Sequence, residues 1–294
     1  LKNMGCKSNQ FEGSIIEENL IASGYKKNTN IQDSDIFILN SCTVTHKSDN
    51  EAFAILARAK KDNPNIKTVL TGCIAQVAKQ KLLENPNIEF GIGNDEKLEI
   101  VKYLNEDNYH VSNLEELNEF HNVTLSDTTK TRASLKIQDG CDNRCSYCII
   151  PFARGKNRSA DVDFIINQIG KYEQAGFKEI VLTGIHIGQW GKEREAASVK
   201  GEKNTLLNLL QAIEENTSIH RYRLGSLNPL EIDDKMLDFL VSSEKFCPHF
   251  HLSLQSMNNK TLKAMNRHYT VEHALDLIDK IYDKMPLAFM GSDI

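Results

Sequence analysis

The chain has 294 residues, 40% hydrophobic and 26% charged, with a formal net charge of −5. That length suits two ordinary domains with sizeable cores, and the mild acidity excludes a nucleic-acid binder held by net charge alone. No run of 18 apolar residues exists to span a membrane, and the start "LKNMGCKSNQ" lacks the basic-then-apolar pattern of a signal peptide, so a cytoplasmic protein is expected.

Residues 12–24, "EGSIIEENLIASG", have helical spacing and a glycine stop. "DIFILNSC" (35–42) is a short apolar strand running into Cys42, and 45–62 is an amphipathic helix ended by Asn63-Pro64. "KTVLTGC" (67–73) is a strand running into Cys73, followed by a helix near 75–84, a strand at 88–93 and a helix at 95–104. This alternation predicts a small parallel α/β domain over 1–104. Cys42 and Cys73 lie just past the carboxyl ends of strands, and Cys6 does too if a strand precedes residue 1. In open α/β sheets ligands collect outside those ends, so three cysteines from distant segments can converge on one point.

Residues 105–133 read as a polar connector with one short strand near 109–112. Between 103 and 129 there are six acids (Glu106, Asp107, Glu115, Glu116, Glu119, Asp127) and no Lys or Arg. Between 130 and 158 there are seven bases (Lys130, Arg132, Lys136, Arg144, Arg154, Lys156, Arg158) against Asp139 and Asp142. From 134 to 294 the alternation resumes. Strands are expected at 133–139, 179–185, 221–227, 249–256 and 287–294. Helices are expected at 161–175 (capped by Ser159), 205–216, 232–243, 258–266 and 271–284. The pattern predicts a partial (β/α) barrel, with active groups on the loops after the strands. Those loops hold Cys141–Cys148, Gly184–Gly191, Ser226 and Gln255-Ser256. Both ends of the chain read as trimmed, since it opens without Met at a strand-to-loop junction and stops on an apolar strand-like run.

Seven cysteines without an export signal point to a reducing compartment, where clustered thiols ligate metal more often than they form disulfides. "GCDNRCSYC" (140–148) spaces Cys141, Cys145 and Cys148 as C-x3-C-x2-C. A structural zinc site takes four protein ligands, and the next cysteine, Cys247, lies on another loop. Three thiolates on a four-iron cluster would leave one iron open to a substrate or cofactor. The loop, with the aromatic Tyr147 before its last cysteine, resembles that of the radical S-adenosylmethionine (radical SAM) superfamily. The resemblance implies a [4Fe-4S] cluster held by Cys141, Cys145 and Cys148, whose open iron chelates the methionine part of SAM. One electron then cleaves the sulfonium, and the 5′-deoxyadenosyl radical abstracts hydrogen from an unreactive C–H bond.

"GCKSNQFEGS" (5–14), "NSCTVTHKSD" (40–49) and "TGCIAQ" (71–76) resemble the three cysteine motifs of the methylthiotransferases within that superfamily. The resemblance covers essentially the whole chain. It implies a transferase with a second [4Fe-4S] cluster on Cys6, Cys42 and Cys73, where the added sulfur is attached before transfer. It also implies a radical SAM barrel with cofactor contacts from Tyr147, Gly184, Ser226 ("LGSLNP"), Gln255 ("HLSLQS") and Arg267 ("MNRHYT"). Implied partners are a tRNA substrate, a flavodoxin- or ferredoxin-like electron donor and an unidentified sulfur donor. Thr43-Val44-Thr45 after Cys42, with Lys7 and Glu12, looks most like the branch acting on N6-threonylcarbamoyladenosine. The other branches act on isopentenyladenosine in tRNA and on an aspartate of a ribosomal protein. A non-catalytic iron–sulfur module is the distant alternative. The family ends with a small β-barrel RNA-binding (TRAM) domain, and this chain stops before it.

Other residues carry two readings each. Trp190 either covers the SAM adenine or packs in its loop, and His186 reads as a polar contact. Arg144 and Arg154 either attract an RNA backbone or are solvated. Cys247 reads as a small buried hydrophobe.

Overall fold

A computed structural model describes residues 1–106, 108–124, 131–197 and 204–294. Asp107, Asp127 and Lys130 of the charge pattern lie outside the described residues. The chain forms two compact units. Leu1–Asn118, residues 123 and 124 and the later segment Ile149–Lys156 belong to the first; Glu119–Asn122, residues 131–148 and Asn157–Ile294 belong to the second.

The first unit is built on a four-stranded parallel sheet in the order β1 (Lys2–Asn3), β2 (Ile36–Ser41), β3 (Lys67–Gly72), β4 (Phe90–Ile92). Alternation along β2 and β3 sends Ile38 and Val69 to one face and Leu39 and Leu70 to the other. Both faces are dry, which is why these strands read as continuous apolar runs. Ile38 and Val69 pack with Ile16 of α1 (Lys7–Ala22) and with Ile100. Leu39 and Leu70 pack with Ala52 and Leu56 of α2 (His46–Asp62). Helix α1 starts five residues earlier than its apolar spacing suggested. Ser8, Asn9 and Glu12 are buried in its first turns, so polar residues occupy positions where hydrophobic periodicity would mark a core face. The helix expected near 75–84 breaks at Ala78 into α3 (Cys73–Val77) and α4 (Lys79–Leu83). The one at 95–104 is a kinked 3-10 segment, Glu96–Lys102. The strand expected near 109–112 is a single bridge, Ile92 to His110. A short helix, α5 (Ile150–Arg154), completes the unit.

In the second unit β5 (Ala133–Lys136), β8 (Glu179–Thr183) and β9 (Arg221–Leu224) form one parallel sheet. Strands β10 (His249–Leu252) and β11 (Phe289–Ser292) form another, and bridges from Tyr222 to Phe246 and from Leu227 to Leu252 extend the arc. Helices α6 (Val162–Gln174), α7 (Leu206–Asn216), α8 (Asp234–Ser242), α9 (Asn259–Ala264) and α10 (Val271–Lys284) alternate with these strands. The inner core unites Leu135, Ile180, Leu182, Tyr222, Leu224, Phe250 and Leu252 with Ile169, Leu209, Leu237 and Ile281. The α/β architecture, a parallel amino-terminal sheet followed by a partial barrel, is the one expected. One cap differs. Ser159 lies in β7 (Arg158–Ser159), paired antiparallel with β6 (Gln138–Asp139), and Asp161 occupies the cap position of α6.

At the amino ends of the barrel strands, buried Glu179 accepts hydrogen bonds from Arg221 Nε (2.5 Å), Arg223 Nε (2.7 Å) and Arg132 Nη1 (3.3 Å). Burial alone would raise its carboxyl, but these bonds hold it below the usual carboxylate value. A depressed folded-state pKa contributes stability that is complete above the unfolded value, near about 4.3, and lost as pH falls through the lower folded value. Glu179→Gln is therefore expected to cost about 1–3 kcal/mol at neutral pH. The gap to the parent should narrow only in acid, as denaturant unfolding at pH 7 and at low pH would measure. Equal stabilities at pH 7 would contradict the assignment.

Candidate functional site

Parallel pairing brings the amino-terminal cysteines to one sheet edge. The register aligns Asn3 with Asn40 and Ser41 with Gly72, so three neighbouring strands release their chains side by side, about 4.8 Å apart. Cys6, Cys42 and Cys73 follow within one to three residues. Cys42 and Cys73 are buried and Cys6 is exposed. Burial raises the Cys42 thiol pKa, a backbone hydrogen bond at Val44 opposes this, and the charges of Cys73 and Cys6 raise it further. Two glycines permit the approach. Gly5, with φ +83°, lies so close that a Cβ there would fall 2.6 Å from Cys42 Cβ and 2.8 Å from its Sγ. Gly72, with φ +90°, passes against the Ser41 carbonyl in the same way.

The barrel loop holds Cys141, Cys145 and Cys148, all partly exposed. Met265, Asn266 and Arg267 clasp it. Ser146 N–H donates to Met265 O (3.2 Å), Asn266 Nδ2 donates to Arg144 O (2.8 Å), and Arg267 Nη1 donates to Cys145 Sγ (3.7 Å). Tyr147 OH donates to Gln255 Oε1 (2.9 Å), and Gln255 itself takes the left-handed conformation at φ +63°. Burial raises the Tyr147 phenol to about 12, against the pull of Arg267. Ser226 Oγ pairs with His251 Nδ1 (2.8 Å), while Gly184 packs on Gln138, where a Cβ would fall 2.8 Å from Oε1. His186 Nδ1 lies 3.4 Å from Cys141 Sγ, and its Nε2 meets Glu231. Burial pulls the imidazole pKa down, but the Cys141 thiol and the Glu231 carboxylate lift it to about 9.

Among the described residues no three His, Cys, Asp or Glu side chains gather as ligands of a single metal ion. A four-iron cube holds its cysteines at separate corners, farther apart than the ligands of one ion, so such clusters do not require that closer gathering. The donors present fit iron–sulfur chemistry. They are thiols, and N–H groups point at Sγ of Cys145 and of Cys73, where Asn94 Nδ2 stands at 3.7 Å.

Residues 135–291 match the radical SAM superfamily, and residues 1–93 match a family described as uncharacterized protein family UPF0004. All of the chain aligns at 35% identity with 71% of the threonylcarbamoyladenosine tRNA methylthiotransferase MtaB of Aquifex aeolicus. The chain belongs to the radical SAM methylthiotransferases. The MtaB of Bacillus subtilis is 33% identical over 99% of the chain and 65% of its own length. A tRNA-2-methylthio-N(6)-dimethylallyladenosine synthase of Thermodesulfovibrio yellowstonii is 32% identical over all of the chain and 68% of its own length. The chain thus spans about two thirds of these relatives. In fold it is similar to the radical SAM methyltransferase TsrM of Kitasatospora setae, at TM-score 0.61 and 11% identity over 96% of this chain and 63% of that one. It is also similar to the radical enzyme OxsB, at TM-score 0.60 and 15% identity over 96% of this chain and 46% of that one.

Several sequence readings change. Arg154 is buried in the first unit, bonded to Glu12 Oε1 (2.5 Å), and does not reach an RNA backbone. Arg132, Lys136 and Arg158 are likewise engaged, with Glu179 or Asp139. Arg144 is exposed and caps the Cys141 carbonyl at 3.0 Å. Trp190 is a core residue, its Nε1 donating to Ala160 O (3.1 Å). Cys247 is only partly buried. Asn94, Lys97 and Glu231 carried no motif signal, because each acts through a partner distant in sequence.

The geometry at Gly5 makes a direct prediction. Gly5→Ala must move Cys6 or Cys42, in a backbone conformation that alanine adopts at a cost of about 1–2 kcal/mol. With the barrel cysteines replaced by alanine, the variant is expected to retain several-fold less reconstituted iron than its Gly5 parent. Equal iron would show that this edge is not a ligand site.

Proposed function

We propose that this chain carries the catalytic part of a tRNA methylthiotransferase. It would replace the C2 hydrogen of N6-threonylcarbamoyladenosine, next to the anticodon, by a methylthio group. The support that carries most weight is the pair of cysteine triads after parallel strands, in a chain aligned end to end with MtaB proteins. In this reading Cys141, Cys145 and Cys148 hold one [4Fe-4S] cluster and Cys6, Cys42 and Cys73 a second. When bound, the clusters and SAM supply the one-electron chemistry and the sulfur and methyl groups.

The chain's own residues hold and shield. Met265, Asn266 and Arg267 fix the barrel loop, Arg267 directs an N–H group toward Cys145 Sγ, and His186 Nδ1 stands beside Cys141 Sγ. Tyr147, Gly184, Ser226 and Gln255 line the strand-end face as SAM contacts. An electron donor of the flavodoxin or ferredoxin type supplies the reductant, and the sulfur donor is a further partner.

The threonylcarbamoyl branch is favoured by Thr43-Val44-Thr45. Thr45 caps α2, its Oγ1 accepting from Ser48 N–H (3.1 Å), so this signature also sets how the chain leaves Cys42. The dimethylallyladenosine branch is the second reading, favoured by relatives at 31–32% identity.

Mass spectrometry of tRNA nucleosides from strains with and without the gene tests the branch. The methylthio form of N6-threonylcarbamoyladenosine should vanish in the deletion. Loss of methylthio-isopentenyladenosine instead would transfer the assignment to the other branch. In vitro, the reconstituted chain should hold about eight irons, four per cluster. Replacing Cys141, Cys145 and Cys148 by Ala should halve this and abolish 5′-deoxyadenosine formation. Replacing Cys6, Cys42 and Cys73 should leave that formation detectable and stop methylthio product. Methylthio product from the second variant would rule out the amino-terminal site as sulfur carrier.

A further inference from the structure

The first unit buries two cations and a carboxylate beneath the Cys6–Cys42–Cys73 edge. Lys97 is fully buried and donates to Asn9 Oδ1 (2.9 Å) and Asn94 Oδ1 (2.8 Å), with Glu12 Oε2 at 2.5 Å. A fourth oxygen, Asn40 Oδ1, lies at 3.5 Å, so all three donors of the ammonium are engaged. Arg154, equally buried, shares Glu12 and also donates to Asn9 Oδ1 (3.2 Å). Two amides carry this network to the cysteines. Asn9 Nδ2 donates to the Ser41 carbonyl (3.1 Å), next to Cys42, and to the Met4 carbonyl (2.7 Å), two residues before Cys6. Asn94 Nδ2 donates to Ala153 O (2.6 Å) and, at 3.7 Å, to Cys73 Sγ.

Burying an ammonium and a guanidinium costs several kcal/mol per ion, and a well-packed apolar cluster serves stability as well or better. What an apolar cluster lacks is an amide held in one rotamer with its N–H on a sulfur, and positive charge behind it. Those two features raise the reduction potential of an iron–sulfur centre, because reduction adds negative charge.

Resting on the reading of Cys6, Cys42 and Cys73 as cluster ligands, we propose that Asn94 and Lys97 are positioning residues for that cluster. Asn94 orients and hydrogen-bonds Cys73, and Lys97 locks the Asn94 amide and supplies positive charge. Burial lowers the Lys97 pKa and the nearby Arg154 guanidinium lowers it further, while Glu12 and the more distant Cys73 act to keep the ammonium charged. Neither residue touches the reacting atoms.

The test uses the whole chain with Cys141, Cys145 and Cys148 changed to Ala, reconstituted anaerobically with iron and sulfide. This parent should bind about four irons. In it, Asn94→Ala removes the donor to sulfur, and Lys97→Met removes a charge but leaves Arg154 to pair with Glu12. Both variants should show a more negative midpoint potential than the parent and lose iron to a chelator about 10-fold faster or more. A structural role alone would lower thermal stability and leave the potential of the folded fraction where it was. If Lys97→Met does not fold, Asn94→Ala, which leaves every charge in place, decides. Parental potential and iron retention in the folded variants would overturn the inference and leave the cluster assignment standing. A parent that binds no iron would overturn both.

Discussion

Parallel strand pairing is the constraint on which both candidate sites depend. A parallel ladder makes every strand leave at the same edge, so residues far apart in sequence arrive side by side. In the first unit the ladder of Lys2–Asn3, Ile36–Ser41 and Lys67–Gly72 does this for three cysteines separated by 36 and 31 positions of chain. In the barrel Cys141–Cys148, Ser226 and Gln255 likewise lie on loops that follow strands, after β6, β9 and β10. The apolar pairs Ile38–Val69 and Leu39–Leu70 keep the register, since a one-residue slip would exchange the two faces of the sheet.

Much of this was legible in the sequence, because its signals are local. Helix α2 announces itself by an amphipathic stripe ended by Asn63-Pro64, and the strands into Cys42 and Cys73 are apolar runs bounded by polar residues. The cysteine spacing, with Tyr147 before the last cysteine, carries the resemblance to the family. Long-range features were silent. The first turns of α1 bury Ser8, Asn9 and Glu12, which serve partners up to 145 positions away, so the apolar period gave no sign of them. Ser159 has the composition of a helix cap and the conformation of a strand, because pairing with Gln138 took precedence over capping.

Charge shows the same division between composition and structure. By composition, Arg144 and Arg154 in the basic stretch around the barrel cysteines either attract an RNA backbone or are solvated. Arg132, Lys136, Arg154 and Arg158 are instead tied to Glu179, Asp139 and Glu12, where they join strands and helices within their own units. Arg144 remains exposed beside the cysteine loop.

The first unit is not contiguous in the chain. Arg154 arrives with the segment Ile149–Lys156, after the chain has already built the first barrel strand. On the ribosome the amino-terminal sheet is complete at Ile92, yet the guanidinium that bonds Glu12 and the Ala153 carbonyl that receives Asn94 are still to be translated. At synthesis rates of about 5–20 residues per second that interval lasts some seconds. During it Glu12 lacks its Arg154 partner and the Asn94 amide lacks its Ala153 acceptor. Completion of this buried network is therefore a late event in biogenesis. A fragment cut after the sheet would be trapped at that stage, a property to weigh when choosing where to truncate the enzyme.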